Sequence, residues 1–403
     1  MRRRTALVLT PRLPWPLDDG GRVGLWQSVW TASKAYETIV VSLYNPDEPA
    51  LPVPPSLAER QIEIVRIPHR PPSTTTGLWD GVFGRWPYTL ARYRNHAFDA
   101  EVRRLVRERA PAIAIVNHLH LATYADAFGA VPWVLREHNV EFSWMRRFAA
   151  SRRNPLVKAY ANFSAARLAR TEADLCRRAA LVLAIQESEA REIARVAPEA
   201  RVEIVPIGVD FARFRAPARD APPIVLIVGS YAWRPNAEGV RRFLGEGWPE
   251  VRARIPDARL RVVGKDLPRA LAGEIEAAGG ESVGFVEDVA PEYARASVLV
   301  VPLWVGAGAR VKIVEALAAG LPIVTTALGA EGLGLVDGVH AVYAEEPAAL
   351  GRAAARVLSE PQRARRLEVE GRDWAARNFS LEAVARRTNE LCERVLAERS
   401  RES

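Results

Sequence analysis

Cysteine is nearly absent from this chain: Cys176 and Cys392 are the two among 403 residues. A pair so far apart in sequence gives no disulfide framework, which suits a reducing compartment. Long apolar runs are missing too. No uncharged run reaches the roughly 18 residues that a spanning helix needs. The longest, around 110–125, 296–309 and 316–330, each contain proline with glycine or histidine. An integral membrane protein is therefore not expected. Met1-Arg-Arg-Arg imitates the start of a secretion signal, but the apolar run Ala6–Leu9 is short and Pro11 and Arg12 end it. A first β-strand is the expectation there. No Asp-x-Asp occurs, so the usual carboxylate holder of a nucleotide-bound divalent cation is lacking. Zinc-finger spacing, a basic zipper and an RNA-recognition signature are also missing, and no repeat of solenoid period appears; nucleic acid is not an expected partner.

What is present is a composition of 49% hydrophobic and 26% charged residues, ordinary for a soluble globular protein, in a length comfortable for two domains. The net charge of +8 is unevenly placed. Between Phe142 and Arg170 lie seven basic residues (Arg146, Arg147, Arg152, Arg153, Lys158, Arg167, Arg170) and no acidic one. Trp144, Phe148, Tyr160 and Phe163 are interleaved with them. A basic, aromatic helical stretch suits an anionic lipid surface or an anionic acceptor, and it equally describes a solvated helix face. A cytoplasmic protein, peripheral at the inner face of the membrane, is the expectation.

Short β-branched runs alternate with helical stretches, which predicts an α/β fold with parallel sheets. Strands are expected at Thr5–Thr10, Thr38–Leu43, Ile62–Ile67, Ala112–Asn117, Trp133–Arg136, Leu181–Ile185 and Val202–Val205. Pro206 to Pro223 is proline-rich and reads as a linker. The pattern restarts at Ile224–Val228, Leu260–Val263, Ser282–Val286, Val298–Val301, Ile323–Thr326 and Ala341–Tyr343. Helices are expected at Asn236–Leu244, Val311–Ala319 and Ala348–Leu358, and through the tail from Pro361 to Arg399, where Ser380 can cap the last helix. The predicted architecture is two Rossmann-like doubly wound domains facing one cleft: residues 1–208, residues 209–380, and a C-terminal helix, 381–403, packing back on the first. Ligands of open parallel sheets sit beyond the carboxyl ends of the strands.

The richest stretch is Val305-Gly-Ala-Gly-Ala-Arg-Val-Lys-Ile-Val-Glu315, following a short apolar strand. Small residues let a ligand approach the backbone, and the free N–H groups of a helix start favour an anion. Arg310 and Lys312 beside those amides suit a multiply charged phosphate; Glu315, a turn later, suits sugar hydroxyls. Charge-assisted hydrogen bonds contribute about 1.5–3 kcal/mol each, so a leaving diphosphate could be neutralised here without metal. A second element, Leu17-Asp-Asp-Gly-Gly-Arg-Val-Gly24, lies between the first strand and a helix ending near Tyr36. Gly20 and Gly21 would let this backbone approach a ligand held by the other domain, and a flexible surface loop is the alternative; the spacing is not the Gly-x-Gly-x-x-Gly of a nicotinamide site. Arg136-Glu-His-Asn-Val-Glu141 puts His138 at a strand's carboxyl end, where an imidazole can bond a sugar hydroxyl or a phosphate oxygen. Asn117-His-Leu-His120 places His118 and His120 on one side of an extended segment, with no third ligand of metal-site spacing.

With these residues in view, the chain resembles the GT-B glycosyltransferases, similar to family 4, over nearly its whole length. The likeness rests on Gly20-Gly21-Arg22, Glu137-His-Asn-Val-Glu141, Ile207-Gly-Val-Asp210 and Gly306–Glu315, supported by Val228–Asn236 and Gly284-Phe-Val-Glu-Asp288. The resemblance implies a nucleotide-sugar donor on the C-terminal domain and a sugar or lipid-linked acceptor on the N-terminal one. It implies catalytic roles for His138, Gly21 and Arg310. The donor diphosphate would meet Gly20, Gly21, Ser230, Gly308, Arg310 and Lys312. Glu315, Gly264, Phe285 and Val286 would face the nucleoside, and Arg22, His118, His120 and Asn139 the acceptor. Transfer with retention, without metal or other cofactor, is implied, the leaving phosphate itself helping to deprotonate the acceptor. Two positions depart from the family: Ala307 stands where a second glutamate is usual, and Ser230 and Asn236 replace an Arg and a Lys. An epimerase or phosphorylase of the same architecture, and a non-catalytic sugar-binding module, remain open readings.

Overall fold

The computed structural model describes residues 3–16, 20–47, 52–53, 62–73, 81, 83–214, 222–306 and 310–402. Two compact units divide the chain: Met1–Ile207 with Val384–Ser403, and Gly208–Ala383.

In the first unit the strands are β1 (Thr5–Thr10), β2 (Glu37–Tyr44), β3 (Ile62–Pro68), β4 (Ile113–Asn117), β5 (Trp133–Arg136), β6 (Leu181–Ala184) and β7 (Val202–Ile204). Among the described residues they form one sheet in the order β3-β2-β1-β4-β5-β6-β7, every pair parallel. Continuous burial of Ala6–Leu9 and Ile113–Val116 follows from having helices on both faces, so these strands read as unbroken apolar runs. The covering helices include α1 (Gly20–Ala35), α2 (His96–Arg109), α3 (Glu141–Ala150), α4 (Pro155–Arg178) and α5 (Glu187–Val196).

The second unit repeats the pattern with β8 (Ile224–Val228), β9 (Arg259–Val263), β10 (Glu281–Gly284), β11 (Val298–Val301), β12 (Ile323–Thr325) and β13 (Val342–Tyr343). Their order is β10-β9-β8-β11-β12-β13, again all parallel. Its helices include α6 (Arg234–Arg242), α7 (Trp248–Arg254), α8 (Arg269–Ala277), α9 (Ala290–Arg295), α10 (Val311–Ala318), α11 (Pro347–Ser359) and α12 (Pro361–Phe379). The expected helix over Asn236–Leu244 begins earlier, at Arg234, and passes at Phe243 into a wider π-type turn.

In each sheet the order reverses between the first and fourth strands, β1/β4 and β8/β11. That switch point is where doubly wound sheets leave a crevice for a ligand. The last helix, α13 (Leu381–Glu402), starts at Ser380, whose Oγ accepts the Ala383 N–H at 3.2 Å. Its Val384, Leu391, Cys392 and Val395 join Ala6, Tyr36 and Leu181 in one apolar cluster, and Tyr36 donates its hydroxyl to Glu393 at 2.6 Å.

Candidate active site

In the first unit, β4 ends at the switch point with Asn117. Its Nδ2 donates to Leu9 O at 3.0 Å, which leaves Oδ1 to accept from His138 Nε2 at 3.3 Å. His138 therefore carries its proton on Nε2 and presents Nδ1 as an acceptor. The His118 ring stacks on it, with centroids 4.1 Å apart. Burial, with help from Arg136 and Arg12, pushes the His138 imidazole down to about 3; burial also drives His118 well down and His120 to about 4. All three rings are neutral at physiological pH, hydrogen-bonding groups rather than cations.

Two readings of this region need correction. His118 and His120 do not share an extended segment. His118 adopts φ 65°, and His120 sits in a single helical turn, Leu119–Ala122, with its ring 4.4 Å from that of Tyr93. The glycines Gly20, Gly21 and Gly24 are not in a loop either: α1 begins at Gly20. Gly24 has a packing reason, since a Cβ there would stand 2.7 Å from His138 Cε1. Arg22 is half-buried and lines a pocket of about 610 Å3 with Arg12, Trp15, Asn45 and His69, off the carboxyl ends of β1–β3. Asn139 is exposed, although its neighbour His138 is buried.

At the start of α3 lies a group that sequence reasoning missed. Glu172 of α4 is fully buried and accepts the N–H groups of Glu141 and Phe142 at 3.1 and 3.0 Å, capping the start of α3. Burial raises Glu172 to about 8 and Glu141 to about 7, and drives Glu137 well upward. The signal was legible: Glu172 falls on the apolar face that Leu168, Leu175 and Cys176 bury. A lone carboxylate on such a stripe needs a partner.

In the second unit the site gathers at β8 and β11. Lys312, in the first turn of α10, donates Nζ to Val228 O at 3.0 Å and to Asn236 Oδ1 at 3.1 Å. Asn236 in turn donates Nδ2 to Ser230 O at 2.8 Å. Arg310 immediately precedes α10 and is buried, giving Nη2 to Leu328 O at 3.1 Å and Gly306 O at 3.3 Å, while among the described residues its Nε has no hydrogen-bond partner. Backbone carbonyls anchor both cations. Burial lowers Arg310, and lowers Lys312 to about 8 with Arg310 contributing. Glu315 accepts the Tyr293 hydroxyl at 3.1 Å, and burial raises its carboxyl to about 7. Tyr293, missed in the sequence, also donates to Lys312 O at 3.2 Å.

Gly264 adopts φ +146°, and a Cβ there would fall 1.6 Å from Gly229 O, so the ends of β8 and β9 approach as only glycine permits. Phe285 is 69% exposed, and Val286 packs half-buried on the core. Gly308 and Ala307 lie outside the described residues. Among the described residues, no group of three or more His, Cys, Asp or Glu side chains is placed to hold a metal ion.

Two family models match the chain: Glycosyltransferase Family 4 over residues 36–213, and Glycosyl transferases group 1 over residues 222–360. A GDP-mannose-dependent alpha-(1-6)-phosphatidylinositol monomannoside mannosyltransferase of Mycolicibacterium smegmatis is 29% identical over 223 residues. That match spans 48% of this chain and 56% of the relative, about half of each. Among solved structures, sucrose-phosphate synthase of Thermosynechococcus elongatus aligns with a TM-score of 0.68 at 18% identity, covering 98% of this chain and all of that one. Anabaena HepE, solved with UDP and glucose, aligns with a TM-score of 0.62 at 14% identity, covering 97% of this chain and 100% of that one. At these identities the structural likenesses carry the fold.

Proposed function

We propose, for a chain that belongs to the family 4-like GT-B glycosyltransferases, that it moves a sugar from a nucleotide-sugar donor to an acceptor hydroxyl, with retention of anomeric configuration and without a metal ion. The observation that carries this reading is the start of α10. Arg310, Lys312 and Glu315 lie there within five residues of each other, at the switch point of the second sheet. In this reading the diphosphate is met by Lys312 and by the Arg310 guanidinium, which among the described residues keep a third N–H and the Nε without a partner. Glu315, steadied by Tyr293, accepts the ribose hydroxyls.

The bond from the sugar's anomeric carbon to the diphosphate oxygen breaks, and the acceptor oxygen bonds the same face of that carbon. The acceptor proton passes to the departing phosphate oxygen. Cations fixed before reaction favour the charge that develops on that oxygen, at no cost in reorganisation. For the first unit this reading assigns His138, as a neutral imidazole, to sugar contact and Gly21, in the first turn of α1, to phosphate contact. The acceptor lies on the first unit, near Arg22, His118, His120 and Asn139. The names of the relatives make GDP and UDP the first bases to test. The bases between Phe142 and Arg170 favour an acceptor borne on an anionic membrane surface, in the assembly of a glycolipid, polysaccharide or other glycoconjugate.

The deciding experiment incubates the protein with UDP-, GDP-, ADP- and dTDP-sugars, with and without chelator, and follows release of nucleoside diphosphate. Slow release from one donor, unchanged by chelator and accelerated by an acceptor, is expected. Isomerisation of the donor sugar with no acceptor would favour an epimerase and overturn the reading; binding with no turnover for any donor would favour a non-catalytic module.

A further inference from the structure

A second pocket, of about 740 Å3, opens on the first unit away from His138 and is walled by α3, α4 and the segment around Phe83. Its lining is apolar: Phe83, Trp144, Phe148, Leu156, Val157 and Tyr160 dominate it. Such side chains normally shelter from water, yet Phe83 is 75%, Leu156 80% and Trp144 47% exposed. Isolated exposed apolar residues are common, but a contiguous concave set marks a binding surface. The pocket has ligand-site size, within the roughly 300–1,000 Å3 usual for such clefts.

The wall is built rather than accidental. Arg167 of α4 reaches across to donate to Gly84 O at 2.7 Å, tying the Phe83 segment to the helix. Trp144 and Phe148 stack with ring centroids 5.6 Å apart. Asn154 accepts Leu156 N–H at 2.9 Å, capping α4 and fixing the exposed leucine at the rim. The basic helical stretch is two helices, α3 and α4, with the pocket at their junction. Around that junction Arg146, Arg152, Arg153 and Lys158 are exposed, and among the described residues none of them forms an ion pair. Arg152 stands over the Phe148 ring at 4.1 Å, joining the cationic rim to the apolar floor.

We propose that this pocket receives a hydrocarbon chain of an anionic membrane lipid, whose headgroup charge is met by Arg146, Arg152, Arg153 and Lys158. An apolar cavity under a rim of one charge has the complementarity of a lipid leaving its bilayer: chain inward, phosphate at the edge. The chemistry deepens the proposed function, resting on the reading that the acceptor is membrane-borne. It gives the acceptor or its carrier a seat for its tail.

The test uses the full chain and vesicles of phosphatidylcholine, with or without phosphatidylglycerol whose acyl chains carry bromine, a contact quencher of indole fluorescence. Comparison with Trp144→Phe isolates the emission of Trp144. Brominated anionic vesicles at low salt are expected to quench that component. Leu156→Asp should remove the quenching and weaken vesicle affinity at least about tenfold. Arg152→Gln with Arg153→Gln should weaken it about 25-fold, each basic side chain near an anionic surface contributing about fivefold. Melting curves with and without nucleoside diphosphate check that the variants fold. A stabilising nucleotide with no lipid quenching leaves the transferase standing and sinks this proposal; quenching with no nucleotide response does the reverse. Vesicle binding with an unquenched Trp144 would make the surface purely electrostatic and overturn the chain site. A lipid-free dimer abolished by Leu156→Asp would assign the pocket to a second copy and overturn the chain site as well.

Discussion

Lys312 Nζ donates to Asn236 Oδ1 at 3.1 Å, and the Asn236 amide is turned to receive it because Nδ2 is committed to Ser230 O. The lysine thus comes from α10, while the position after β8 contributes a neutral positioner. Among the described residues no carboxylate pairs with this ammonium, which two neutral oxygens hold, so an incoming diphosphate would bring it an anion. Lys312→Met is expected to weaken nucleoside diphosphate binding by about 1.5–3 kcal/mol, the scale of a charge-assisted bond. Titration calorimetry at pH 7 measures it; unchanged affinity would put the diphosphate elsewhere.

The same pair of ends on α10 gives a narrow pH window. Lys312 titrates near 8 and Glu315 near 7. A diphosphate needs the protonated lysine, so affinity falls about tenfold per pH unit above about 8. Ribose hydroxyls need the carboxylate, so affinity rises as pH passes about 7. For Glu315 alone, the folded value lies above the usual 4.5; its contribution to stability is complete below 4.5 and is lost as pH rises through about 7. Glu315→Gln should therefore flatten the acid limb of nucleotide binding and gain stability relative to wild type between pH 5 and 8. A wild-type affinity flat from pH 6 to 9 would contradict both assignments.

Arg310 has two duties, and its variants should separate them. Its Nη2 holds Leu328 O and Gly306 O, while Nε has no partner among the described residues. Arg310→Ala is expected to lower kcat/KM by at least ~2 kcal/mol, the order of one charge-assisted bond, with some loss of melting temperature from the freed carbonyls. Arg310→Lys keeps a charge without the planar fork, and should restore stability more fully than turnover. Wild-type turnover in the alanine variant would remove the guanidinium from the reaction.

His138 should behave as a neutral group. With its imidazole near 3, no titration of this ring falls between pH 5 and 9. The pH profile of transfer should therefore lack a histidine limb near 6.5. His138→Ala should cut transfer while sparing nucleotide affinity; equal loss of both would contradict its placement. Gly24→Ala probes the same ring from α1, because its Cβ would press on His138 Cε1. A cost of about 1–3 kcal/mol in stability is expected, as for other overpacked cores, with transfer impaired beyond that loss.

Much of this was legible along the chain. Each expected strand is present with ends moved by at most two residues, because buried parallel strands demand uninterrupted β-branched runs. The cluster Arg310, Lys312 and Glu315 was legible as well, since helix spacing alone puts those side chains near one helix start. Contacts between distant segments were not. Nothing local says that Asn236 meets Lys312, that Tyr293 meets Glu315, or that Gly24 leaves room for His138. Gly20 and Gly21 read as loop because glycine disfavours helices, a weak preference that packing of α1 against the sheet overrides.

Glu172 is the sharpest of those distant contacts, and it connects stability to the site. Both of its carboxyl oxygens accept N–H groups at the start of α3, from Glu141 and Phe142, three and four residues beyond His138. Glu172→Ala would leave two buried donors without a partner, for about 1–2 kcal/mol, as for other lost caps. Glu172→Gln keeps one acceptor and should recover part of that. Burial raises the carboxyl from 4.5 to about 8, so its contribution is complete below pH 4.5 and is lost as pH climbs through about 8. Relative to wild type, the glutamine variant should therefore gain stability as pH rises from 5 to 8, in urea unfolding at each pH. A difference that stays constant with pH would mean that Glu172 is already ionised in the folded protein. The α3 cap would then be a charged one, a carboxylate held by two backbone N–H groups.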